Sequence, residues 1–289
     1  MAGFSSRGPA LANDSDLLKP DVAAPGAGIL AAVAPPSNEG RRFDLYSGTS
    51  MAAPHVAGLA AFLLGERPRW SPMKVKSAMM TTAGSVRTRT GEVERNGFAQ
   101  GAGQVRPRRF VGPGLFVVST PLEWRRYTQG QGLDWGAGYE PLATKDLNVP
   151  SLAQGAVPGS TTFRRTFLAG RAGTWKVTVK VPGFAASAPA RLVADRPGER
   201  TSLRFDFVRT TAPLGRFAHG HVVLDGPTRV RLPVALRPVS LDAPVELRGS
   251  GAEGSVAMAL SAGSTGEVAV EESGLVPATT ETGVADDVR

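Results

Sequence analysis

The chain contains no cysteine. Disulfide cross-links and thiolate metal sites are therefore excluded, although the compartment stays open because many secreted proteins also lack cysteine. Long apolar runs are missing too. The longest, Val56 to Leu64, is less than half of the roughly 20 residues that a membrane-spanning helix needs. The opening stretch, Met1-Ala2-Gly3-Phe4-Ser5-Ser6-Arg7, has no apolar core of a signal peptide, so a secreted parent is expected to carry its signal upstream. Three histidines in 289 residues leave few imidazoles for catalysis or metal binding. Acidic residues are outnumbered, giving a net charge of +8. The basic residues are scattered, however, and the densest spot, Arg106-Pro107-Arg108-Arg109, is broken by a proline. A nucleic-acid partner is not expected from such a distribution.

What is present suits a folded protein: 42% apolar and 20% charged residues, with length for two modest domains. Residues 1–112 read as short strands alternating with helices. Gly28 to Val33 and Phe43 to Tyr46 are extended runs. Met51 to Leu64 is apolar on nearly every face, the pattern of a helix buried inside a larger domain, with Pro54 placed in its first turn. Ser71-Pro72 predicts a helix start, with Trp70 stapled against Val75 and the helix running to about Thr82. Residues 113–145 read as an irregular linker. From residue 146 the texture changes. Thr161–Phe167, Thr174–Val181, Arg191–Ala194, Ser202–Val208, His221–Leu224 and Arg229–Leu236 are runs of β-formers between Gly and Pro, which predicts an all-β sandwich over 146–239. Residues 240–289 read as an acidic tail or the start of a further β-module, with Val245–Leu247, Ser255–Leu260 and Glu267–Val270 as strands.

One stretch carries chemistry: Gly48-Thr49-Ser50-Met51-Ala52-Ala53-Pro54-His55-Val56-Ala57-Gly58. It puts a serine at the start of a helix, after a glycine that permits a sharp turn. Free N–H groups and the positive dipole end suit a developing oxyanion there. A serine hydroxyl is a weak nucleophile without a base, and in isolation a Gly-x-Ser at a helix start is more often a cap than a nucleophile.

These eleven residues closely resemble the active-serine motif of subtilisin-like proteases, the subtilases. Flanking segments match in the family's order: Phe4-Ser5-Ser6-Arg7-Gly8-Pro9 and Lys19-Pro20-Asp21-Val22-Ala23-Ala24-Pro25-Gly26 before the serine, then Pro68 through Ala83 and Gly101-Ala102-Gly103-Gln104-Val105 after it. The resemblance implies an α/β fold, the C-terminal portion of a parallel-sheet catalytic domain. It also implies a serine endopeptidase in which Ser50 attacks the scissile carbonyl and its own N–H serves the oxyanion hole. The later strands resemble the fibronectin type III-like domain that follows the catalytic domain in many larger subtilases. Leu147-Asn148-Val149-Pro150-Ser151-Leu152 looks like its first strand, and Phe163-Arg164-Arg165-Thr166 like a weaker form of the next.

The family order is Asp, His, Ser, and neither Asp-(Ser/Thr)-Gly nor His-Gly-Thr-His occurs in this chain. Asn38 is too close to Ser50 to be the oxyanion asparagine. His55 reads as a packing residue, and His219 and His221 as surface or edge-strand residues without a third metal ligand. Asp21 and Asp44 are assigned no acid–base role. In subtilisin, loss of the base lowers turnover by roughly 10⁶-fold, about 8 kcal/mol of transition-state stabilisation. The expectation is a protease portion that is inactive alone, extracellular in its parent, acting on protein or peptide substrates, with an upstream segment supplying Asp and His. No cofactor is read, and calcium, open for an intact family member, has no legible ligands. The rival readings are a non-catalytic binding module built on the sandwich and one half of a split protease.

Overall fold

The computed structural model describes residues 1–11, 14–244, 255, 257–268 and 283–285. The first part begins with an extended segment leading to β1 (Ile29–Ala32) and β2 (Phe43–Tyr46), followed by the long helix α1 (Thr49–Glu66) and α2 (Pro72–Thr81). Two single-turn helices follow, α3 (Gly97–Gln100) and α4 (Pro107–Phe110).

The parallel sheet implied by the resemblance is not present among the described residues of this part. β1 and β2 pair antiparallel, with Ile29 opposite Tyr46 and Ala32 opposite Phe43. Their short connection lacks the dozen or more residues and the helix that a parallel crossover requires. Nor is α1 buried on all faces. Leu63 is its single buried residue, while Phe62 is 51% exposed; across the ribbon, Leu30 is 67% and Phe43 63% exposed. Pro54 falls in the second turn rather than the first, because the helix already begins at Thr49.

α2 is the packed helix. Ser71 caps it, its hydroxyl accepting the Lys74 N–H at 3.3 Å, and Pro72 occupies the first helical position, where no N–H is needed. Val75, Ala78 and Met79 bury one face against Leu63 of α1, Phe110 of α4 and Phe116, with Trp70 joining edge-on to Phe116 at 5.0 Å.

The second part is a sandwich of two sheets. β4 (Leu152–Pro158), β11 (Arg229–Val239), β10 (Ala218–Asp225), β6 (Gly173–Lys180) and β8 (Arg191–Ala194) form one sheet in that spatial order. β3 (Leu115–Val117), β5 (Ser160–Ala169), β9 (Arg200–Arg209) and β7 (Phe184–Ser187) form the other. Alternation with period two sends Leu203, Phe205 and Phe207 of β9 inward to meet Trp175, Val222, Leu224, Leu232 and Val234 of the facing sheet. The stretch 113–145 is not irregular throughout. It holds β3 and the helix α5 (Pro121–Gly130), started by Thr120 and Glu123, which exchange the two bonds of a capping box.

Leu147–Ser151 is not part of the first long strand, which starts at Leu152. It is a buried strap tied down by two side chains. Asn148 donates to the carbonyls of Val118 and Thr166 and accepts the Thr166 N–H. Arg165, 1% exposed, donates to the carbonyls of Val149, Ser151, Arg164 and Lys145 at 2.9–3.1 Å. Each nitrogen of the guanidinium fork thus meets backbone oxygen instead of a carboxylate.

The two parts are joined on two fronts. The Ser77 hydroxyl of α2 accepts the Val117 N–H of β3 at 2.8 Å. At the other front, Asp16 accepts the Gly155 N–H of β4 at 2.7 Å, and Leu18 packs with Phe98, Ala153 and Ala235. The approach is close enough that a Cβ at Gly155 would sit 1.8 Å from the Asp14 carbonyl oxygen, so only glycine fits. After β11, β12 (Leu241–Asp242) pairs with β13 (Ser261–Ala262), and β14 (Gly266–Val268) with β15 (Gly283–Ala285). Val245–Leu247 lies outside the described residues, as do Val256, Ala269 and Val270; the described part of Ser255–Leu260 is not a strand.

Candidate active site

Ser50 is the second residue of α1 and is exposed. Gly48 stands before the helix in a fully extended conformation, φ 166° and ψ 163°, so the chain turns sharply from β2 into the helix. A second turn supports this one from below. The Gly48 N–H donates to the Gly26 carbonyl at 2.8 Å, and the Gly28 N–H donates to the Ser47 hydroxyl at 2.9 Å. A Cβ on Gly26 would lie 2.7 Å from the Gly48 carbonyl oxygen, which explains why glycine is needed where the two turns meet. The segment Pro25–Gly26 was legible only as a family segment; its contact with the serine turn emerges from the structure.

In the first turn of α1 the Met51 and Ala52 N–H groups donate to the Gly48 carbonyl at 3.1 and 3.4 Å, which leaves those of Thr49 and Ser50 without a backbone acceptor, and no acidic side chain stands in this turn to neutralise them. Pro54 removes the N–H that would otherwise engage the Ser50 carbonyl. The result is an exposed hydroxyl beside unspent backbone donors. Next to it opens an apolar cleft of about 630 Å³, walled by Phe4, Pro25, Thr49, Ala52 and Val56.

No hydrogen bond joins Ser50 to an imidazole or a carboxylate among the described residues. His55 turns its Nδ1 to the Met51 carbonyl at 2.8 Å, within its own helix. His219 and His221 lie on β10, which is an interior strand between β11 and β6 and not a sheet edge. His219 packs edge-on to Phe98 and parallel to Phe217, and its Nδ1 is buried without a partner. Burial holds its pKa down, opposed by Glu94. His221 is also held down by burial, reinforced by Arg231, Arg229 and Lys180. Asp21 is bound by Lys19 at 2.8 Å and Lys76 at 3.0 Å, and Asp44 pairs with Arg41 at 3.3 Å. Asn38 is turned into its own loop, donating to the Ala34 carbonyl and accepting from the Tyr46 hydroxyl. No group of three His, Asp or Glu side chains suited to a metal occurs among the described residues, and none of their helices is long and apolar enough to cross a membrane.

Residues 1–104, which contain the serine turn and both helices beside it, match the family model described as the Subtilase family. Residues 1–104 belong to the subtilase family. Similarity to curated subtilases runs well past that segment. The chain is 34% identical to Subtilisin-like protease SBT2.5 of Arabidopsis thaliana over 279 residues, covering 81% of this chain and 33% of that protein. With Subtilisin-like protease SBT4.4 of the same plant it is 33% identical, covering 83% and 36%. With SBT4.12 identity rises to 48% over 121 residues, covering 40% of this chain and 16% of the other. The chain thus spans about a third of the length of the longer-matching relatives. Among solved structures, secreted serine protease VesC from Vibrio cholerae is 18% identical, with a TM-score of 0.23 over 31% of this chain and 22% of that one, too low to carry an argument.

Proposed function

We propose that this chain is the nucleophile-bearing portion of a serine endopeptidase, with Ser50 as nucleophile. The observation that carries the reading is the placement of an exposed serine on the first turn of α1, inside the segment that matches the subtilases. In the reaction, the Ser50 Oγ adds to the scissile carbonyl carbon while its proton passes to an imidazole. The tetrahedral oxyanion accepts the Ser50 N–H. Collapse breaks the C–N bond, the imidazole returns the proton to the leaving amine, and water then hydrolyses the acyl ester.

Because His55 bonds within its own helix and His219 and His221 stand on β10 of the sandwich, the base and its aspartate belong to a segment or polypeptide outside these 289 residues. Residues 1–112 then represent the C-terminal portion of the catalytic domain and 146–239 a fibronectin type III-like domain, in a protein that works outside the cell on peptide substrates.

The test is labelling with a fluorophosphonate probe. The chain alone is expected to label at Ser50 no faster than its Ser50→Ala variant. Mixed with a polypeptide bearing the family's Asp and His segments, it is expected to label at Ser50 and to cleave casein. Labelling of the isolated chain would show a base within it, and absence of labelling in the mixture would remove Ser50 as nucleophile.

A further inference from the structure

A cleft of about 570 Å³ lies between the two parts of the molecule, away from Ser50. One wall is the outer face of the five-stranded sheet. Register places His221 opposite Lys180, Val223 opposite Arg231 and Asp225 opposite Arg229, so Lys180, His221, Arg231 and Arg229 share the face turned away from the sandwich core. The other wall is Thr81–Ser85, Val93–Arg95, Arg106 and Arg109. The walls touch where Arg231 donates to the Ser85 hydroxyl at 3.0 Å, and the Arg106 guanidinium lies directly against Gly84.

Six permanent cations line this space: Arg95, Arg106, Arg109, Lys180, Arg229 and Arg231. The one carboxylate among the lining residues is Glu94, and it already accepts the Asn96 N–H at 2.9 Å. Among the described residues, none of the six cations forms an ion pair, and Arg231 alone has a side-chain hydrogen bond within the protein. Asp225, opposite Arg229 in register, forms no ion pair with it. Like charges held together in a concave, partly desolvated space raise the local potential and favour an anionic occupant. Arginine forks match the oxygens of phosphate and sulfate, and half-buried Arg231 is held in place by Ser85 to present one.

We propose that this cleft binds a multiply charged oxyanion, a phosphate or sulfate group, held jointly by Arg95, Arg106 and Arg109 of the first part and the cations of the sandwich. The size argues for a compact group: cations face each other across a bounded cleft and do not form the long stripe that a nucleic acid follows. Lys180 and Arg229 are exposed, and neither makes a side-chain hydrogen bond among the described residues, so they can be changed without disturbing the packing.

The experiment is isothermal titration calorimetry on the full chain with sodium phosphate, sodium sulfate and sucrose octasulfate, each against sodium chloride at equal ionic strength. Saturable binding of one equivalent is expected. It should weaken at least tenfold in Lys180→Gln/Arg229→Gln and stay unchanged in Arg196→Gln/Arg200→Gln, whose cations lie outside the cleft. Octasulfate binding at least tenfold tighter than sulfate would assign the group to a sulfated saccharide. Comparable affinities would assign a free ion. No saturable binding with any probe, or equal loss in both double variants, would overturn the proposal. Circular dichroism of each variant checks that it is folded.

Discussion

Arg165 shows how a charged side chain can serve the backbone. It is fully buried, and burial draws its pKa down to about 10, with Asp146 and Glu123 opposing from a distance. At neutral pH it therefore stays charged, satisfied by carbonyls of the strap that leads into the sandwich. Arg165→Met fills similar volume but removes all of the guanidinium donors; the Val149 carbonyl keeps the Ser151 N–H, while those of Ser151 and Lys145 lose their side-chain partner. A loss of about 2–6 kcal/mol is expected, from two carbonyls at about 1–3 kcal/mol each. Urea unfolding of the full chain measures it; a loss below about 0.5 kcal/mol, the size usual for uninvolved surface sites, would show the strap is held without the arginine. Nothing local in the sequence signals this role. The acceptors lie up to 20 residues away and are main-chain atoms, which carry no residue identity.

Local chemistry was easier to read at the scale of elements, though unevenly. Ser71-Pro72 marks the start of α2 because the cap, the proline and the staple all lie within a few residues. Thr120-Pro121-Leu122-Glu123 carries the same kind of signal for α5, yet the surrounding glycines and aromatics suggested an irregular stretch. The capping box is what gives that helix a defined start. Thr120→Ala removes one hydroxyl acceptor and should lower stability by about 1 kcal/mol, seen as a lower urea midpoint with an unchanged slope. An unchanged midpoint would show that packing of Tyr127 with Leu147 and Val149 holds α5 by itself. The apolar faces of α1 misled in a different way. Hydrophobicity records which surface favours being covered, and Phe62 stands uncovered all the same. The strand runs of the sandwich were readable because a closed core imposes alternation on each strand. The antiparallel β1–β2 ribbon was not, since four-residue runs fix extension but not direction of pairing.

For the molecule as a whole, the contact at Asp16 makes association of the two parts depend on pH. Burial raises the pKa of this carboxyl to about 6, aided by Asp14 and opposed by the Gly155 N–H and Lys145. Between about pH 4 and 6 the folded chain keeps a proton that the unfolded chain has released. The sign follows: Asp16 makes stability fall as pH rises through this window, with no further change above it. Asp16→Asn keeps an oxygen for the Gly155 N–H and cannot titrate. The difference in urea midpoint, native minus variant, should therefore decline from about pH 4 to 6 and then level off. A flat difference would show that the carboxyl is solvated in the folded chain.

The Ser77–Val117 bond has a practical consequence for anyone dividing this polypeptide. The sandwich's second sheet begins with β3, whose Val117 amide finds its acceptor on a helix forty residues earlier. Thr228, near the start of β11, donates in turn to the Pro113 carbonyl at 2.8 Å. A cut at residue 112 would separate Ser77 from Val117 and Trp70 from Phe116, while Pro113 and Thr228 stay on the same piece. Excised at that seam, neither piece would keep its native edge, and a protease nick there would be expected to leave the halves clasped together.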